Sequence, residues 1–209
     1  MKLTSTATIL LALLSAFPAR ADITMVQDTI VNGVSSRSTM WIKGDKARSD
    51  NGTTSSVIIN AATGDMTTLM HDQKMVVTMN TKQLQALAAQ VPGQEAGAAD
   101  AAVSQVTATG EKETVDGHEC EIYRIENQGM VVKLWVAKNY PNQEKLREQL
   151  KILAQLSAPG APKQPDVPGI AVKTEFEQQG LKFTTKLVSL SDGPVSDDVF
   201  VIPAGYKAP

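Results

Sequence analysis

From residue 23 to residue 80, apolar and polar positions alternate in short runs that Gly, Asn and Asp interrupt every 8 to 12 residues or so, the spacing of an antiparallel meander. Five strands are predicted, over residues 23–31, 38–43, 46–50, 55–60 and 66–79, the last folded into a hairpin about Asp72-Gln73. Gly44-Asp45 and Thr63-Gly64 supply further tight turns, since glycine reaches positive φ without a Cβ clash. Opposed residues of an antiparallel pair project from one face, so the hairpin sets Met70 against Met75, Thr68 against Val77 and Met66 against Met79. Carried through residues 61–64, the register puts Ile59 beside Met66 and Val57 beside Thr68. One face thus gathers Val57, Ile59, Met66, Met70, Met75, Val77 and Met79. The other carries Thr67, Thr78, His71 and Lys74, with Leu69 and Val76 as exceptions, which predicts a one-sided sheet.

The period then changes. Leu84, Leu87, Ala88 and Val91 recur at helical spacing after a capping Asn80 or Thr81, predicting a short helix over 81–91 that Pro92-Gly93 stops. Residues 92–105 read as an alanine-rich connector. Strands return over 106–114, 118–126 and 130–137. A three-residue loop at Asn127-Gln128-Gly129 would oppose Ile122 with Leu134 and Cys120 with Val136. Pro141 suits a first helical position, and Leu146, Leu150 and Leu153 at i, i+4 and i+7 predict a helix over 142–156. Four prolines and two glycines make 157–169 an extended connector. A last hairpin, 170–178 and 181–190 about Gln179-Gly180, opposes Phe176 with Phe183, Val172 with Leu187 and Glu177 with Lys182.

Candidate chemistry is sparse. His71 and His118 each sit beside a turn with an aspartate, a pair at most where a metal needs several ligands, so both read as surface turn residues. No phosphate loop, nucleophile elbow or H-E-x-x-H helix occurs, and no cofactor, metal or catalytic residue is expected. Trp41 would oppose Arg48 across Gly44-Asp45; a cation-π pair on an exposed face is weighed there against an anionic headgroup site with Lys43 and Lys46. Four of the seven methionines after Met1 lie between Met66 and Met79. Methionine is flexible and polarizable, which suits a face for varied apolar ligands, although ordinary core packing explains it too.

Residues 1–21 read as a signal peptide: Lys2, an uncharged run from Ala7 to Phe17, then Pro18 and the Ala19-Arg20-Ala21 cleavage pattern. Cleavage after Ala21 predicts a periplasmic chain of one domain, 22–209, without a transmembrane anchor, and a monomer. Loss of Lys2 and Arg20 takes the net charge from −2 to −4, which gives no electrostatic reason to bind nucleic acid. The lone Cys120 cannot close an internal disulfide and reads as a small buried hydrophobe.

Three passages resemble an uncharacterised bacterial envelope family catalogued as a domain of unknown function: Trp41-Ile42-Lys43-Gly44-Asp45-Lys46-Ala47-Arg48, residues 58–79 with Gln73-Lys74, and Thr114-Val115-Asp116-Gly117-His118-Glu119-Cys120 leading to Leu134-Trp135-Val136. The close, from Phe200 to Tyr206, is also similar. That family is similar in layout to the lipoprotein carriers and sensors LolA, LolB, RseB and LppX. The resemblance implies a mainly β (α+β) fold, an antiparallel meander forming an unclosed half-barrel with two or three helices on its concave face, where acyl chains are held. The expected function is non-enzymatic binding of a lipid or lipoprotein acyl chain by Val57, Ile59, Met66, Met70, Met75, Val77, Met79, Ile122, Leu134, Phe176 and Phe183. The alternative is an envelope sensor or interaction module of the RseB type, with a protein partner and no lipid.

Overall fold

The computed structural model describes residues 22–80, 83, 105–127, 130–156, 166–178 and 180–209, with backbone only for 105, 127, 149 and 151–156. Within them lie β1 (Ile23–Val31), β2 (Val34–Lys43), β3 (Lys46–Asn51), β4 (Ser55–Asn60), β5 (Asp65–Met70) and β6 (Met75–Asn80). Then come β7 (Gln105–Val115), β8 (His118–Asn127), β9 (Met130–Ala137), helix α1 (Gln143–Leu156), β10 (Ile170–Gln178), β11 (Leu181–Asp192) and a single 3-10 turn, Asp197–Phe200. All eleven strands join one antiparallel sheet in the order β6-β5-β4-β3-β2-β1-β11-β10-β9-β8-β7. Since β6 and β7 are opposite edges, the sheet is not closed.

The mainly β, unclosed architecture agrees with expectation, but two or three helices are not found: the described residues contain one α-helix. The helix predicted over 81–91, except for Gln83, and the signal peptide over 1–21 lie outside the described residues. Helix α1 also starts later than Pro141 suggested. Asn142 takes φ 54°, a left-handed conformation that interrupts the helix before Gln143.

The meander register holds through Ile59 with Met66, Thr68 with Val77 and Met66 with Met79, and so does Phe176 with Phe183. The β8–β9 register does not. Asn127 pairs with Met130, so the connection has two residues rather than three, Ile122 opposes Trp135, and Cys120 opposes Ala137. A one-residue slip turns every side chain to the other face. Leu134 therefore packs with Tyr123, Ile125 and Val136, away from Ile122.

The largest buried cluster runs across one face from Ala47 through Ile42, Ile23, Leu190 and Ile170 to Ala137, Ile122 and Val115. Leu146 of α1 is 2% exposed within it, so this is the helix face. Cys120 is buried there, and burial pushes its thiol pKa up, keeping it an unreactive packing residue. Gly169 explains how the chain enters β10: a Cβ at that position would lie 2.4 Å from the Ala137 carbonyl oxygen. Without one, the backbone presses against β9 and brings Val167 onto the second cluster.

Candidate binding site

The two faces of β4, β5 and β6 have different fates. On the helix face, Val57, Ile59, Met66, Met70, Met75, Val77 and Met79 are all half-buried. Ile59 packs against the main cluster, whereas, among the described residues, Met66, Met70, Met75, Val77 and Met79 belong to none of the three buried clusters. Among the described residues, the polar contacts of α1 and its approach fall elsewhere: Lys145 reaches Asp192 at the end of β11, the Tyr140 hydroxyl before α1 donates to the Leu190 carbonyl, and Arg147 reaches Asp166. The Lys145 ammonium holds the Asp192 carboxyl below the usual aspartate range.

The opposite face is covered by the chain's own end, which corrects the expectation of a one-sided sheet. Leu69 and Ile58 are buried under Val195 and Phe200, with Trp41, Val76, Val199 and Tyr206 around them. Residues 193–207 thus form a tail laid over β2 to β6. It is tied at its start by Asp22, whose carboxylate accepts from the Val195 N–H at 2.8 Å, and by Lys43, which donates to the Val195 carbonyl at 2.9 Å and meets Asp197 at 3.1 Å. At its end, Lys207 pairs in parallel with Met75 through two backbone hydrogen bonds of 2.9 Å.

Between these anchors lies a polar network. Arg48 donates to Asp50 at 2.5 Å, to the Val199 carbonyl at 2.8 Å and to Ser56 Oγ at 3.0 Å. Ser56 Oγ stands 2.8 Å from His71 Nε2, and His71 Nδ1 meets the Tyr206 hydroxyl. Since Ser56 accepts from Arg48, its own proton is best donated to Nε2, which leaves the imidazole proton on Nδ1 to donate to Tyr206. Trp41 and Arg48 do oppose each other, but the guanidinium is committed to this network rather than to the ring or to a headgroup. The two histidines are likewise not plain surface turn residues: His71 holds the tail, and the half-buried His118 stacks on Tyr140 at 5.0 Å. Ser56 is fully buried, so its pairing with His71 presents no accessible nucleophile.

The remaining predicted residues are dispersed. Ile122 is buried in the main cluster, and Leu134 lies on the opposite face. Phe176 and Phe183 stack with centroids 4.7 Å apart and oppose Val132 and Val31 at the far ends of their strands. Glu177 faces Lys182 in register, yet the Lys182 ammonium bonds Glu175 at 3.2 Å, and Lys173 bonds the same carboxylate while lying 3.9 Å over the Trp135 ring. Among the described residues no group of three potential metal ligands occurs, and no helix is long and apolar enough to cross a membrane.

This arrangement of strands and tail falls within one family match covering residues 19–206. The chain belongs to the family described as Domain of unknown function (DUF4412). The family match agrees with the resemblance carried by Trp41 to Arg48 and the other motifs. A comparison of the DUF4412 chain with curated proteins gives no match. Among solved structures it is similar to PNGF-II, with 13% identity, 90% of this chain and 30% of that chain covered, and a TM-score of 0.42. It is also similar to a chain of the Pseudomonas aeruginosa MucA/MucB complex, at 12% identity, 90% and 56% coverage and a TM-score of 0.45. A LolA superfamily protein from Nitrosomonas europaea gives 12% identity, 88% and 91% coverage and a TM-score of 0.33. The DUF4412 chain therefore spans under a third of PNGF-II and just over half of the matched chain of the complex.

Proposed function

We propose that this protein is a periplasmic, non-enzymatic binding protein, exported by residues 1–21, that holds acyl chains of a lipid or lipoprotein on the helix face of β4 to β6. The observation that carries this reading is the contrast across three strands. Their tail face is closed by apolar packing and a hydrogen-bonded polar network, while their helix face presents four methionines and two valines that are half-buried and, among the described residues, outside the main cluster against which Ile59 packs. Apolar surface of this kind is stabilised by any apolar chain laid along it, and methionine side chains adapt to chains of different shape.

Native mass spectrometry of the protein taken from a periplasmic extract, with no delipidation step, tests it. A population heavier than the mature chain by the mass of a lipid is expected. A clean apo mass would sink the proposal, and a specific protein recovered by envelope crosslinking in its place would favour an interaction module.

A further inference from the structure

Hairpin tips for β1–β2, β8–β9 and β10–β11 all lie at one end of the sheet, the end remote from Ile23. Strand pairing aligns an apolar row there, from Val34 and Val31 through the stacked Phe183 and Phe176 to Val132 and Ile125. Two bulges produce it: Val188 is an extra residue against β1, and Val172 is extra against β9. Each bulge shifts the side-chain alternation, so the row starts on the helix face at Val31 and ends on the opposite face at Ile125.

The row comes into the open at its start. Val34 is 74% exposed and Leu181 is 39% exposed, on adjacent tips joined by the Asn32 N–H donating to the Lys182 carbonyl. Val34 follows a tight turn in which Asn32 and Gly33 both take positive φ, as a two-residue hairpin turn requires. The alternate side of the same strands is charged and net basic: Arg37, Arg124, Lys133, Lys173, Lys182 and Lys186 against Asp28, Glu126, Glu175 and Glu177, with Arg37, Arg124, Lys173 and Lys182 in ion pairs with these carboxylates. This local excess of cations stands out in a chain whose net charge is −2.

We infer that this end of the sheet docks on an anionic lipid bilayer, with Val34 and Leu181 entering the headgroup boundary and the neighbouring cations meeting the headgroups. Exposed apolar side chains gain by leaving water, and lysine and arginine near an anionic surface add attraction that salt screens. The inference does not need an acyl ligand on the methionine face: docking and ligand holding are separate surfaces.

Cosedimentation of the mature protein with vesicles tests the docking. Vesicles of equal parts phosphatidylcholine and phosphatidylglycerol should pellet it, and phosphatidylcholine alone should pellet far less. The double variant Val34→Asp, Leu181→Asp should reduce partitioning by about tenfold or more, and Lys133→Glu with Lys182→Glu should weaken it and its salt dependence. Matching circular dichroism shows the variants folded, as expected for exposed positions. No pelleting of the parent, equal pelleting on both vesicle types, or a tip variant that pellets like the parent would each overturn it. A dimer in solution without vesicle binding would assign the tips to a second copy instead. A clean apo mass together with vesicle binding would remove the acyl proposal and leave the docking standing.

Discussion

The two faces of β3 to β6 are made by alternate residues of the same strands, yet among the described residues one packs into a buried cluster under the tail and most of the other stays half-buried outside any cluster. On the tail face, Arg48, Ser56, His71 and Tyr206 near the buried Leu69 are hydrogen-bonded to one another, and Phe200 packs with Ile58. On the helix face, Met66, Met70, Met75 and Met79 stand in a row across a hairpin, half-buried. Closing an apolar face with the chain's own segment requires the backbone of that segment to be hydrogen-bonded as well, because an unpaired buried polar group costs about 1–3 kcal/mol. The Arg48, Ser56, His71 and Tyr206 network and the Lys207 bridge supply those bonds on the tail face.

Four changes break or sharpen this contrast. The largest effect is expected from Phe200→Ala, which removes the tail's main buried side chain and should cost about 3–5 kcal/mol in urea unfolding. Next comes Arg48→Met, which strands Asp50, Ser56 and the Val199 carbonyl; with the pair part-exposed, a loss of about 2–3 kcal/mol is expected, with faster proteolysis within residues 193–207. By contrast, Met66→Ser with Met75→Ser should cost only about 1–2 kcal/mol in the same unfolding experiment, since both are already half-exposed, while removing most of the lipid-bound mass in native spectra. A loss of stability as large as that of Phe200→Ala would mean the methionines are core after all.

The smallest effect concerns acid. Lys145 depresses the Asp192 carboxyl in the folded state, so its contribution is fully present above the unfolded value of about 3.9 and disappears as pH falls through the depressed folded value. Helical dichroism should therefore decline in that acid window before the sheet signal does. In Lys145→Ala that acid step should vanish; the pair is solvent-accessible, so the change stays small.

Much of the β architecture was legible because turn chemistry fixes register. Asp72-Gln73, Gly44-Asp45 and Gln179-Gly180 placed Met66 against Met79, Trp41 against Arg48 and Phe176 against Phe183. Where the loop was misjudged by one residue, at Gln128-Gly129, Leu134 was assigned to the wrong face. His71 and Leu69 were misread for a different reason. Leu69 and Val76 broke the alternation expected of an exposed face, and those exceptions were the local sign of the tail, whose contacts join residues more than a hundred positions apart.

The sequence by itself determined which residues pair in the hairpins whose turns it marked clearly, the β8–β9 hairpin excepted, because alternation and turn length are local properties of the backbone. Only the tertiary structure decided which of those faces is covered. That β1 pairs with β11, that bulges at Val172 and Val188 carry an apolar row from one face to the other, and that residues 193–207 seal β2 to β6 all depend on contacts distant in sequence. Such contacts are selected by the combined packing of the whole sheet, and no window of sequence contains the partners that compete for them.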